Sequence, residues 1–210
     1  PSRIAPVAHA VGVLGLHVVK GLPLCAPAFD MMRNAGMNEL WRHSLGVAIT
    51  AHILGTKAAM KNPEEVFVAG LLHDIGKVVL YVKWPDVGQQ ITTVTRNTSR
   101  PLMDAEQELF EVTHADVGGW LASAWHLPTS LREPILHHHT PAAAQDAKLQ
   151  TAIVHVADVL VKGLACGNPG DDLDPPLSRP AWDLVGLDAQ SLAHCLTQAT
   201  EEFQTIDDYL

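Results

Sequence analysis

The chain carries twelve histidines against two tyrosines, and several of the histidines stand near carboxylates in a way that suggests chemistry. The run Leu71-Leu72-His73-Asp74-Ile75-Gly76-Lys77 places an imidazole beside a carboxylate at what reads as the end of an apolar helix. A nitrogen and an oxygen donor presented together form the mixed set that suits a borderline divalent metal. Gly76 would let the chain turn sharply after the pair, and Lys77 is close enough to meet an anion held at the metal. A His-Asp dipeptide alone is weak, because it arises often by chance and can be a plain hydrogen-bonded pair at a helix end. Its surroundings strengthen it. His43 lies upstream, with Glu39 four residues before it and hence on the same helical face. His114 follows downstream, then His137-His138-His139, and finally Asp158 within the apolar run His155-Val156-Ala157-Asp158-Val159-Leu160. A carboxylate buried there needs a partner, because isolated charge burial is costly. A metal or a histidine would serve.

Helical periodicity dominates the segments that must position these groups, and no convincing alternating strand occurs. Residues 6–22 place Val7, Ala10, Val11, Leu14 and Val18 on one stripe. This segment carries His9 and His17, is short for a membrane span and lacks the basic start of a signal peptide, so it reads as a core helix. A longer helix is expected over 38–60, with Leu40, Val47, Ile49, Ile53 and Leu54 supplying apolar surface and Gly46 and Gly55 allowing close approach. Asn62-Pro63-Glu64-Glu65 is a start signal of capping-box type, and the helix it opens leads into His73-Asp74. Further helices are expected over 84–96, 101–111, 115–125, 130–137 and 148–163. Residues 166–180, rich in Gly, Pro and Asp, read as a long loop. Asp188 then caps a last helix running to about Phe203. Trp41, Trp120 and Trp125 read as core or groove anchors. The expected organisation is one helical core over 1–165, a loop over 166–180, and C-terminal helices over 181–210 packing on the same domain.

Bulk properties narrow the function. A chain of 210 residues with 47% hydrophobic and 18% charged residues can bury a full core. The net charge of -9 argues against a nucleic-acid surface, which needs clustered Lys and Arg. The acidic patch Asp171–Asp174 reads as solvated loop charge. Cys25, Cys166 and Cys195 form no CxxC pair, as expected of reduced, buried thiols in a cytoplasmic protein. No Gly-rich phosphate loop, nucleophile elbow or redox cysteine pair is present.

The ordered set His43, His73-Asp74, Asp158 resembles the H…HD…D ligand pattern of HD-superfamily phosphohydrolases. The longer string resembles an HDOD domain, the HD-related output domain of bacterial signalling proteins. It comprises Leu40-Trp41-Arg42-His43-Ser44, residues 69–77, His114-Ala115-Asp116-Val117-Gly118, Trp125-His126-Leu127-Pro128 and His138-His139-Thr140-Pro141. The resemblance covers about residues 4–160, and residues 4–22 look like a segment inside that domain, which implies that the family's N-terminal helices are absent here. It implies an all-α HD-superfamily bundle. His43, His73, Asp74 and Asp158 would form the main metal site, with His114, His138 and His139 extending it to a second metal and Glu39 open to joining a further one. Lys77 matches the lysine that contacts phosphate in the enzymes. The metal would be Fe, Mn, Zn or Ni, as one or two ions.

One departure bears on activity. The HD-GYP relatives that hydrolyse cyclic di-GMP follow their paired histidines with a glutamate and a Gly-Tyr-Pro segment, whereas Thr140-Pro141 follows His139 here. Two readings result. The first is a cytoplasmic regulatory module that retains a His/Asp metal site and acts through a protein partner in a signalling pathway. The second is a metal-dependent phosphohydrolase acting on a small phosphorylated ligand, with Asp74 and Lys77 in the reaction centre. The resemblance favours the first. Neither involves nucleic acid or membrane, and composition assigns no oligomeric state.

Overall fold

The computed structural model describes residues 32, 37–98, 101–164, 166–168 and 176–207. The expected helix over 6–22, Cys25 and the patch Asp171–Asp174 lie outside the described residues. Among the described residues every regular element is helical.

The centre is built from four helices: α1 (Asn38–Lys57), α2 (Pro63–Leu72), α7 (Thr129–His137) and α8 (Lys148–Gly163). In α2 every residue from Val66 to Leu72 is buried, and in α8 every residue from Thr151 to Asp158. A helix apolar nearly all round belongs in the middle of a domain, and these two have α1 and α7 packed against them. Each fully buried Leu, Ile or Phe contributes about 1.5–3 kcal/mol relative to exposure, so Phe67, Leu71, Leu72 and Ile153 fasten this centre firmly. A β-carbon on Gly46 would stand 3.0 Å from Val161 of α8, and one on Gly55 would stand 2.9 Å from Val66 of α2. Both expected close approaches are therefore present. Helix α1 stops before the expected 60 because Ala59 takes a positive φ of 54° and reverses the chain.

The remaining elements are α3 (Ile75–Lys83), α4 (Pro85–Thr98), α5 (Leu102–Phe110), α6 (His114–Ala124), a 3-10 turn at Pro141–Ala143, α9 (Arg179–Val185) and α10 (Ala189–Asp207). Helices α4 to α8 fall within two residues of their expected bounds, whereas α3 and α9 are absent from the expected set. The α3 segment was hidden because the chain re-enters a helix within two residues of leaving α2. Helix α3 packs on α6, α9 on α8, and α10 on α1. Asp188 caps α10 as expected, accepting the Ser191 N–H at 2.7 Å.

Three local expectations are corrected. The Asn62 side chain makes no cap bond to the backbone of α2: the Glu65 N–H goes to the Asn62 carbonyl at 3.2 Å, and the side-chain amide donates to the Glu65 carboxylate at 3.4 Å instead. Gly76 is needed for space rather than for a turn, because a β-carbon there would run into the His114 carbonyl and the Gly118 amide where α3 crosses α6. Trp120 and Trp125 are not core anchors: they are 59% and 41% exposed, while Trp41 is partly buried against the core.

Two caps fix the helices that carry His114 and Asp158. Thr113 and Asp116 form a reciprocal capping box that starts α6 at His114. The buried Glu133 carboxylate of α7 accepts the backbone N–H groups of Gln145 at 3.1 Å and Ala147 at 2.8 Å. It thereby satisfies donors that the start of α8 would otherwise leave unpaired, and locks α7 to α8.

Candidate metal centre

Five elements bring seven donors to one buried place. His43 projects from the middle of α1 and Asp158 from the middle of α8. His73 and Asp74 occupy the two-residue break between α2 and α3, His114 is the first residue of α6, and His138 and His139 follow directly on α7. They form two adjoining groups: His43, His73 and Asp158, and then Asp74, His114, His138 and His139. Within each group, one donor atom per residue lies within 4.8 Å of all the others. All seven are buried; His139, at 9%, is the most exposed.

Apart from His114 Nε2 and His139 Nε2, which stand 3.0 Å apart as a hydrogen-bonded pair, the donor atoms crowd around shared points. His43 Nε2 stands 3.0 Å from Asp158 Oδ1 and His73 Nε2 stands 3.7 Å from the same oxygen. Asp74 Oδ1 is 3.3 Å from His114 Nε2 and 3.7 Å from His138 Nε2, while its Oδ2 is 3.3 Å from His73 Nε2. The His43–Asp158 approach is short enough for a hydrogen bond but is not aligned as one. His43 Nε2, His73 Nε2, His138 Nε2, Asp74 Oδ1 and Asp158 Oδ1 all lack a hydrogen-bond partner. Leaving a buried polar atom unsatisfied costs about 1–3 kcal/mol, and five around one spot would be a heavy burden. A divalent cation satisfies such a set together, so the residues fit a metal.

The far sides of these groups are tied down. Nδ1 of His73 meets the Gly70 carbonyl at 2.7 Å and Nδ1 of His138 meets the Ile135 carbonyl at 2.9 Å. A carbonyl only accepts, so each Nδ1 bears the proton and each Nε2 faces the cluster with its lone pair. Glu106 does the same for His114: its Oε2 is 2.6 Å from His114 Nδ1 and also accepts the His114 backbone N–H at 2.8 Å. The two aspartates follow one pattern. Lys77 holds Asp74 Oδ2 at 2.9 Å and Lys162 holds Asp158 Oδ2 at 3.2 Å, leaving each Oδ1 aimed inward.

Protonation states agree with a ligand set. Burial pushes His138 and His139 well below the ordinary histidine range, and their imidazole neighbours push the same way. Burial also lowers His43, against the pull of Asp158. In His73 burial is outweighed by Asp74 and Asp158, which raise it. Burial acts upward on both aspartates, but His73 and Lys77 hold Asp74 well below the carboxylate range, and Lys162 and His43 do the same for Asp158. Of the imidazoles facing the two carboxylates, His43, His138 and His139 are thus held toward the neutral form, which binds a cation without first losing a proton, while His73 is drawn toward its protonated form.

All seven residues proposed from the sequence as metal ligands meet here. Glu39 does not join them: it is exposed on α1 and pairs with Arg42 at 3.7 Å. It shares a face with His43 but lies one turn, about 6 Å, nearer the start of α1, before the continuously buried stretch that begins at His43. His137 is half-buried and outside both groups. Lys77 is fully buried and bonded to Asp74, not turned outward. The sequence reading missed Glu106, Lys162 and Glu133. Lys162 had a signal, standing four residues after an acid in an apolar helix; Glu106 had none, because its partner is eight residues away across a helix boundary.

Among the described residues no helix is long and apolar enough to cross a membrane. An uncharacterised protein of Treponema pallidum (strain Nichols) is 24% identical over 178 residues, covering 82% of this chain and 34% of that protein, so the chain spans about a third of this relative. The crystal structure of an HDOD domain protein of unknown function from Geobacter sulfurreducens superposes with a TM-score of 0.71 at 28% identity, covering 81% of this chain and 62% of that one. The MmoQ response regulator of Methylococcus capsulatus shares the fold with a TM-score of 0.59 at 22% identity, over 76% of this chain and 61% of that one. The HDOD domain family matches residues 1–141. With that match running from the first residue to just past the paired histidines, the chain belongs to the HDOD domain family.

Proposed function

We propose that this chain is a regulatory module of bacterial signal transduction that holds one or two divalent ions in the His/Asp cluster and acts through contacts with a protein partner in the cytoplasm. The observation that carries this reading is the closure of the site. Seven donors converge, and none is more than 9% exposed. Structural metal sites are closed by protein ligands, whereas catalytic ones keep a position open to substrate. Lys77, which a phosphohydrolase would turn towards a phosphoryl group, is spent on Asp74. The likeness of the fold to a response regulator agrees with this assignment.

His43, His73 and Asp158 would hold one ion, and Asp74, His114, His138 and His139 the other. The ion, Fe, Mn, Zn or Ni, would supply positive charge to the orphaned oxygens and lone pairs and so join α1, α8 and the α2–α3 break to α6 and α7. A metal-dependent phosphohydrolase is the second reading, and it draws on the two oxygens of Asp74 facing different groups. A carboxylate shared between two ions suits the clamping of attacking and leaving oxygens in phosphoester hydrolysis.

Elemental analysis of protein purified without chelator or nickel resin tests the metal. Assays with a generic phosphodiester and with cyclic dinucleotides, in the presence of Mn or Fe, then separate the readings. Bound metal without turnover is the expected result. Turnover that disappears in Asp74→Ala would overturn the module reading in favour of the enzyme.

A further inference from the structure

His155 lies on the buried stretch of α8, three residues before Asp158, and belongs to neither ligand group. Both of its ring nitrogens are engaged. Nδ1 stands 2.7 Å from the carbonyl oxygen of His138, and Nε2 accepts the backbone N–H of Ser178 at 2.9 Å. The carbonyl can only accept and the amide can only donate, so the tautomer is set and both bonds depend on it. Ser178 is the N-cap of α9. One imidazole therefore joins the backbone of a candidate ligand to the residue that starts the C-terminal pair of helices.

The segment that leaves α8 is seated on the other ligand group. Gly167, at a φ of +79°, lies against the His43 amide, the Glu39 carbonyl and the Arg42 side chain, with no room for a β-carbon. Helix α9 packs on α8 and α10 on α1, where Arg42 stands 6.0 Å over the ring of Phe203. The segment after α8 thus packs on the α1 backbone beside His43 at Gly167, and the C-terminal part is bonded, through His155, to His138 at Ser178. These are one ligand from each group.

We infer that His155 is a positioning residue that couples metal occupancy of the cluster to the docking of α9. The inference rests on the metal reading of the cluster and names α9 as the element through which occupancy is felt. Its physical basis is simple. An ion at His138 Nε2 restrains the residue whose carbonyl orients His155, and an oriented His155 presents a fixed acceptor to Ser178. Coupling of this kind is reciprocal: whatever factor metal adds to α9 docking, α9 docking adds to metal affinity.

Hydrogen exchange of the Arg179–Val185 amides, measured on the full chain with Mn(II) and after chelation, tests the coupling, with bound metal counted in parallel. Metal is expected to slow exchange about fivefold or more. Three variants sharpen the result. His155→Phe keeps the ring shape and loses both bonds. Ser178→Pro replaces the donor N–H by a ring carbon set against His155 Nε2, so it breaks the same contact from the α9 side and also loses the weak 3.4 Å cap bond of Ser178 Oγ, at a φ of -67° that proline adopts. Ser178→Ala loses that cap bond alone. The slowing should vanish in the first two and persist in the third, while all three still take up metal. Metal bound to the wild-type chain with unchanged exchange, or slowing that survives Ser178→Pro, overturns the coupling and leaves the metal reading standing. A wild-type chain that takes up neither Mn, Fe nor Zn overturns both. Should His155→Phe fail to fold, Ser178→Pro carries the test.

Discussion

The two ligand groups are built on different principles. Two of the three donors in the first group, His43 and Asp158, sit within α1 and α8, on stretches packed into the main core, while His73 ends α2. Asp74, His114, His138 and His139 sit at helix ends: the N-cap of α3, the first residue of α6, and the two residues after α7. Interior positions are held by side-chain packing, so His43 and Asp158 inherit the rigidity of the core, and only His73 in that group depends on a single bond, to the Gly70 carbonyl. End positions are held by caps and single hydrogen bonds, namely Glu106 on His114, the Thr113–Asp116 box and the Ile135 carbonyl on His138. The second group is therefore the one that small changes should tune. Asp74, with an oxygen towards each, is the point where the two meet.

The most damaging single change should be Asp74→Ala. It removes the shared carboxylate and leaves the fully buried Lys77 without it, a class of loss that costs about 3–5 kcal/mol. Urea denaturation should show that loss, and elemental analysis should find both groups depleted. Metal retained at the wild-type level would mean the two groups do not share Asp74.

Glu106→Gln and Lys162→Met should then divide the groups. Glu106→Gln weakens the hold on His114 Nδ1, and loss of such an orienting partner lowers metal affinity about 10–100-fold. It should act on the second group alone, read by competition titration as one weakened ion and one unchanged. Lys162→Met frees Asp158 Oδ2 and should weaken the first group instead, by about tenfold at the low end of the same range. Equal effects of both changes on both ions would erase the distinction.

Gly76→Ala probes the crossing that delivers His114 to Asp74. The added methyl meets backbone atoms of α6, which have little freedom to yield, so a loss of about 1–3 kcal/mol is expected by thermal or urea unfolding.

The last effect is that of pH on the metal-free protein, where the histidines partly oppose one another. In the folded chain His138 and His139 lie well below 6.5 through burial, so below pH 6.5 the unfolded chain binds protons that the folded chain refuses. Their contribution to stability is complete above 6.5 and is lost as pH falls from there towards their folded values, at up to about 1.4 kcal/mol per pH unit for each histidine. His43, also lowered, acts the same way, and His73, which is raised, opposes it. Urea midpoints between pH 7.5 and 5.5 should fall on acidification, and His139→Phe should flatten the fall. A slope carried by His43 alone would move the acid sensitivity to the first group.

The groups also differed in how well they could be read. Asp158 was conspicuous because a carboxylate stood in an apolar helical run, and the His73-Asp74 pair because two donors were adjacent. His114, His138 and His139 gained their meaning mainly from the family pattern, since a histidine at a helix end has other reasons to be there. Trp120 and Trp125 misled, because helical spacing tells which residues share a face and not whether a neighbour covers it.

The chain alone determined that the protein is helical and where most helices lie, through 3.6-residue periodicity and caps, and it carried the family pattern that named seven side chains as candidate donors. Tertiary structure decided the rest. It divided the donors into two groups, chose the nitrogen that His73, His114 and His138 present, recruited Glu106 and Lys162, excluded Glu39, and joined α9 to the cluster through His155. Those outcomes depend on how closely helices approach one another, and that is set where glycines such as Gly76 and Gly167 admit a neighbouring backbone, between residues the sequence keeps far apart.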